Sequence, residues 1–157
     1  MKLAPEAINA RLRRALETTG HRYTDQRAAV YRVLAGTTTH PHADEVFQEV
    51  RFQVPGISLA TVYKSLETLV NCGLATKLTY GDGSARYDGR TDPHHHARCV
   101  GCGSVTDAPG RLSREELEAL SEGLDGFALR GYRLELTGYC QGCRPHEESD
   151  TRALPTR

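Results

Sequence analysis

Four of the five cysteines fall into two matched pairs, Cys99-Val-Gly-Cys102 and Cys140-Gln-Gly-Cys143. A Cys-x-x-Cys chelates one ion through two thiolates. Two such pairs make a tetrahedral four-sulfur zinc site, with bonds of about 2.3 Å and no position left open for substrate. Such a site is structural. The 37 residues between Cys102 and Cys140 exceed a compact zinc knuckle, so the ion would pin the start of a domain to its end. The alternative is a pair of redox dithiols or a disulfide, but two matched pairs in a cytosolic chain favour metal. Cys72, alone beside a helix end, reads as an inert packed thiol.

The histidines suggest a second site. His94, His95 and His96 run just ahead of Cys99, and His40 and His42 flank Pro41. On extended backbone alternate side chains share a face, so His94 and His96 can grip one ion while His95 points elsewhere. A set built from His40, Asp88, His94, His96 and Asp107 offers imidazole and carboxylate without sulfur, which suits Fe(II), Mn(II) or Zn(II). The alternative is a polar loop of solvated histidines. His42 and His95 are spare imidazoles, either of which could replace a named ligand.

These residues need a scaffold, and apolar periodicity supplies one. Residues 5–19 read as a helix with Ile8, Leu12, Ala15 and Leu16 on one stripe, Pro5 in its first turn and Gly20 as its C-terminal cap, leaving Arg11, Arg13 and Arg14 outward. Thr24 can cap a second helix that carries Val30, Val33 and Leu34 inward. A third starts near His42 and buries Ala43, Val46, Phe47 and Val50. Ser58 can cap a fourth, whose Val62, Leu66, Leu69 and Val70 form an apolar stripe ending at Gly73, while Ala60, Tyr63, Lys64 and Glu67 occupy the other face. The period then changes to that of a strand from Leu74 to Tyr80, a turn at Gly81-Asp82-Gly83 and a strand from Ser84 to Tyr87. Helices followed by such a hairpin make a winged helix-turn-helix.

The expected architecture is therefore α+β. A winged-helix DNA-binding domain spans 1–88, a hinge 89–93, and a dimerisation and metal-binding domain 94–144, with a disordered tail at 145–157. Within the second domain the pattern predicts a strand near His95 to Thr106, a helix from Ser113 to about Gly123, and a strand carrying Phe127, Leu129, Leu134 and Leu136.

With 157 residues, 38% of them hydrophobic, the chain can bury roughly two thirds of its surface as one domain or two small ones. No apolar run approaches the roughly 20 residues of a membrane helix, and MKLAPEAINARLRR lacks the apolar centre of a signal peptide, so a cytoplasmic protein with no membrane partner is expected. The formal net charge of zero conceals an asymmetry: residues 1–32 hold seven basic and three acidic side chains. That is where a nucleic-acid contact could be made. The fourth helix could enter the major groove with Tyr63 and Lys64 facing bases and phosphates, and Arg22 an adjacent minor groove. An amphipathic packing helix is the plainer alternative.

Over residues 5 to about 144 the sequence resembles the ferric uptake regulator family of bacterial metal-dependent repressors. His40-Pro-His-Ala-Asp44-Glu-Val-Phe47 resembles its HPxAxxxY/F motif, Ser58-Leu-Ala-Thr61-Val-Tyr63-Lys64-Ser-Leu66 its recognition helix, and His94-His-His96-Ala-Arg-Cys99-Val-Gly-Cys102-Gly its linker-and-zinc signature. The resemblance implies a homodimer on double-stranded operator DNA, with metal closing the hinge into the DNA-binding shape. It implies DNA contacts by Arg22 and Tyr63, supported by Arg27, Thr61 and Lys64. Asp107, with Arg86-Tyr87-Asp88 and Thr79-Tyr80-Gly81-Asp82, is similar to the peroxide-sensing branch. That branch implies structural Zn2+ on Cys99, Cys102, Cys140 and Cys143, and regulatory Fe2+ or Mn2+ on His40, Asp88, His94, His96 and Asp107. It also implies oxygen addition at His40 or His94 when iron meets hydrogen peroxide, followed by release of DNA. The rival within the family is a repressor sensing iron, manganese or zinc availability without oxidation. Where many iron sensors have a histidine eight residues before the third zinc cysteine, this chain has Tyr132, so the family's additional C-terminal metal site is not expected. Two readings from other classes are a metalloenzyme that activates water at the His/Asp ion, and a zinc-stapled interaction module that never touches DNA. An enzyme is not expected, because a five-ligand site across a hinge offers neither an open coordination position nor a substrate pocket.

Overall fold

Three of the first four helices begin as their sequences dictate. The computed structural model describes residues 5–80 and 84–144. Helix α1 spans Pro5–Thr18, α2 Asp25–Gly36, α3 Ala43–Gln53 and α4 Leu59–Asn71. Thr24 accepts from the Arg27 N–H and Ser58 from the Thr61 N–H, each filling one of the orphan donors of a first turn. His42 and Glu45 form a capping box at the start of α3. At the end of α4, Gly73 takes φ 68, which lets its N–H reach the Val70 carbonyl at 3.0 Å and the Leu74 N–H reach Leu69 at 2.9 Å. This is a Schellman motif, and Leu74 and Leu69 are both buried behind it.

One core joins the four helices. Leu12, Leu16, Val30, Leu34, Val46, Val50, Val62, Leu66 and Leu69 are buried, with Phe47 and Val70 half-buried at its edge. Burial of each large side chain stabilises by about 1.5–3 kcal/mol, so the apolar stripe of α4 holds that helix by its inner face and leaves Tyr63 and Lys64 outside. Strands β1 (Thr76–Leu78) and β2 (Arg86–Asp88) form the antiparallel wing, with Lys77 opposite Tyr87. Both are shorter than the sequence pattern suggests, and the turn expected at 81–83 lies outside the described residues.

The chain divides into two units, residues 1–93 and 94–157. Segment 89–93 is tied to the first: the Arg90 N–H donates to Asp88 at 2.7 Å, and the Arg11 guanidinium to the Thr91 hydroxyl at 2.9 Å.

The second unit is α+β, but its elements differ from the sequence reading in two places. The strand expected from His95 to Thr106 is two antiparallel strands, β3 (His95–Cys99) and β4 (Val105–Ala108), because the chain reverses where Gly103 donates to the Cys99 carbonyl and Cys99 to Ser104. The strand expected to carry Phe127, Leu129, Leu134 and Leu136 is confined to β5 (Glu135–Gly138), which runs parallel to β3. Phe127 and Leu129 stand exposed ahead of it. Between β4 and β5, helix α5 (Arg114–Leu120) starts at a Ser113–Glu116 capping box and buries none of its residues. The tail at 145–157 lies outside the described residues, and no helix among the described residues is long and apolar enough to cross a membrane.

Candidate metal centres and nucleic-acid interface

Cys99 ends β3, Cys102 sits in the turn after it, and Cys140 and Cys143 follow β5, which lies beside β3 in the sheet. Parallel pairing of β3 with β5 therefore closes the 37-residue gap and brings the four sulfurs within 4.8 Å of one another. The Cys102 and Cys140 sulfurs are 3.8 Å apart. A tetrahedron with bonds of about 2.3 Å has edges of about 3.8 Å, so the donor set fits zinc. Gly101 must be glycine here, since a Cβ would lie 2.9 Å from the Cys143 Cβ.

The electrostatics of this cluster divide the four thiols. Backbone N–H groups of Cys140, then Cys102 and Gly101, bring the Cys99 thiol down to about 6. Ser104 lowers Cys102, whereas the neighbouring sulfurs of Cys140, Cys102 and Cys99 push Cys143 up to about 12. Four sulfurs this close cannot all be thiolates unless a dication offsets their repulsion. Cys72 stands apart from them, half-buried, with its sulfur 2.9 Å from the Thr19 hydroxyl.

The imidazole and carboxylate candidates occupy both units. In the first, His40 and Asp88 are buried, and His40 Nε2 lies 3.8 Å from Asp88 Oδ2. The Arg86 guanidinium donates to the His40 carbonyl at 3.1 Å, so strand β2 fixes both residues. In the second, His94 Nε2 approaches His96 Nε2 to 3.0 Å and Asp107 Oδ1 to 3.5 Å, and His96 pairs with Asp107 across β3 and β4. Two ring nitrogens and a carboxylate oxygen converge there, a hard-to-borderline set suited to a divalent first-row metal. The spare histidines are engaged elsewhere. His42 Nδ1 lies 3.1 Å from the Ala85 carbonyl and 3.2 Å from Ser84 Oγ, and His95 Nε2 lies 3.2 Å from the Tyr132 hydroxyl.

On the outer face of α4, Tyr63 is 43% exposed and Lys64 is exposed, while Thr61 is half-buried with its hydroxyl 2.9 Å from Ser58. Arg22 is exposed in the loop before α2, and Arg27 Nη1 donates to its carbonyl. Arg27 thus holds the loop that presents Arg22. The apolar period of α4 places Glu67 on the outward face and announces no partner for it. Its carboxylate accepts from Lys77 at 2.7 Å and Tyr87 at 2.9 Å, contacts between distant positions that no helical spacing announces.

A family profile described as the ferric uptake regulator family matches residues 18–137. The peroxide operon regulator of Bacillus subtilis is 40% identical over 141 residues, covering 87% of this chain and 95% of that protein. Among solved structures, the Campylobacter jejuni peroxide stress regulator is 29% identical with a TM-score of 0.57, covering 83% of this chain and 94% of that one. The Helicobacter pylori ferric uptake regulator matches with a TM-score of 0.75 at 23% identity, over 94% of this chain and 98% of its own, a likeness of fold.

Proposed function

Since the chain belongs to the ferric uptake regulator family, we propose that it is a metal-dependent transcriptional repressor that binds double-stranded operator DNA as a homodimer and releases it when hydrogen peroxide oxidises a histidine ligand. Zn2+ on Cys99, Cys102, Cys140 and Cys143 holds the second domain together. Fe2+ or Mn2+ is held by His40, Asp88, His94, His96 and Asp107. The observation that carries this reading is the division of sulfur-free donors between the units, His40 with Asp88 and His94 with His96 and Asp107. Imidazole and carboxylate donors suit a divalent first-row metal, and a hold on DNA that requires that ion depends on metal supply.

When bound, iron(II) would supply the one-electron chemistry that opens the peroxide O–O bond; overall the imidazole of His40 or His94 would give up two electrons and take one peroxide oxygen, and the other oxygen would leave as water. Burial of His40 and Asp88 would exclude bulk water from an ion held by those two side chains. Loss of a neutral imidazole ligand weakens metal binding and with it the hold on DNA. Tyr63 and Arg22 read the operator, and Lys64, Thr61 and Arg27 support backbone contacts. The homodimer reading is supported by the second unit itself. Leu120, Phe127, Leu129, Leu136 and Tyr139 are exposed there, whereas its buried residues are Cys99, Val105 and Ala108 among those described. An apolar surface of that kind marks an association face. Similarity to transcriptional regulators supports a cytoplasmic site of action and no enzymatic turnover.

Peptide mass spectrometry on anaerobic Fe(II) protein after one equivalent of hydrogen peroxide, beside a Mn(II) control, tests the reading. One added oxygen on a His40 or His94 peptide, with iron alone and with loss of DNA binding, is expected. No such oxidation would leave a repressor of metal availability.

A further inference from the structure

Lys77 and Tyr87 are directly opposed across the wing, so their side chains project on one side of the hairpin. Both end on the same oxygen of α4: Lys77 Nζ and the Tyr87 hydroxyl donate to Glu67 Oε1 at 2.7 and 2.9 Å. Glu67 lies one turn beyond Tyr63 and Lys64, on the helix that carries them. Tyr87 is 1% exposed and anchored at its base by its N–H to the Pro41 carbonyl at 2.9 Å, so its hydroxyl is a fixed point and not a roaming side chain. Lys77, by contrast, is exposed.

We propose that Glu67 is a positioning residue for DNA recognition, fixing the wing to the recognition helix through Tyr87 and holding the Lys77 ammonium in an internal ion pair, where it adds nothing to sequence-independent attraction for phosphate. This rests on α4 being the DNA-facing helix. The side of the wing that would otherwise present a free cation beside Tyr63 and Lys64 is neutralised, so discrimination depends more on base contacts than on charge. The ionisation behaviour agrees with the geometry: Lys77, then Tyr87, keep the Glu67 carboxyl below its usual value, and burial followed by Glu67 pushes the Tyr87 phenol up. The carboxylate therefore stays charged across the physiological range.

The test compares the full-length, zinc-replete, Mn(II)-loaded wild type with Glu67→Gln, Lys77→Met and the double variant. Binding to a mixed-sequence duplex of about 25 base pairs is followed against salt. Glu67→Gln should bind that duplex more tightly, with a salt slope steeper by about 1, the signature of one added phosphate contact. Adding Lys77→Met should return the slope to the wild-type value. An unchanged slope in folded Glu67→Gln, or a steeper slope that survives Lys77→Met, overturns the proposal. Wild-type protein with no salt-dependent duplex binding would overturn the DNA reading itself, a result distinct from a slope that Glu67→Gln leaves unchanged.

Discussion

His40 lies 3.8 Å from Asp88 with both side chains buried, and it is the single non-glycine residue among those described with positive φ, at 51°. A left-handed backbone at a histidine before proline costs of order 1–3 kcal/mol, a cost retained where the surrounding structure fixes it for a purpose. The same residue places its imidazole Nε2 3.8 Å from Asp88 Oδ2. His40→Asn, chosen because asparagine tolerates φ above zero, should keep the fold while lowering Mn(II) affinity more than about tenfold. Competitive titration with a fluorescent chelator measures this, and Mn(II) affinity equal to wild type would remove His40 from the ligand set.

Tyr63 is exposed on α4 while Val62 and Leu66 beside it are buried, so truncation at Tyr63 spares the core. Tyr63→Ala should weaken binding to a duplex selected by the wild type from a randomised pool by about 1–3 kcal/mol, with little change for a scrambled duplex. Zinc content and oligomeric state should not move. Equal discrimination by the variant in fluorescence anisotropy would contradict a base-reading role.

Much of this molecule can be read from its sequence because the signals are local. Thr24, Ser58 and Gly73 mark helix ends through bonds to residues three or four positions away, and the apolar stripe of α4 is a periodicity of one element. The paired cysteines declare their partners through spacing. The reading lost accuracy in the second unit, where β3 and β4 share one alternating pattern interrupted only by the Gly101-Cys102-Gly103 reversal. It also lost Phe127 and Leu129, whose apolar character answers to a surface and not to a strand of this chain. Glu67 was placed on the correct face, yet its partners lie 10 and 20 positions away, where only the fold could bring them.

Acid should expose the Glu67 clamp as a stability term. Its carboxyl is held below the usual 4.5, by Lys77 first and by Tyr87 less. A group depressed in the folded state stabilises fully above its unfolded value and loses that contribution as pH falls through the folded one. The unfolding free energy of wild type should therefore exceed that of Glu67→Gln by a constant amount, under about 1 kcal/mol for so exposed a pair, between pH 6 and 8. The difference should begin to close as pH falls through the ordinary carboxyl value of about 4.3 and vanish once the folded carboxyl is also protonated. Urea titrations of both proteins across that range measure it, and a gap that widened in acid would contradict the assigned sign.

Removal of one sulfur should cost more than any of these changes. Cys99 is buried at the end of β3, its sulfur accepts the Cys140 N–H at 3.3 Å, and its backbone carries the reversal toward β4. Among the described residues of the second unit only Val105 and Ala108 are buried beside it, so a metal on the four sulfurs would supply much of the stability of that fold. Binding free energy at such a site is folding free energy, of order 10 kcal/mol for structural zinc. Cys99→Ser should therefore release zinc, lose the dimer and unfold the second unit, while α1 to α4, which share their own core, stay helical. Zinc analysis, sedimentation and amide exchange would follow the three effects separately. A zinc-loaded, stable dimer after that substitution would refute the four-thiolate site.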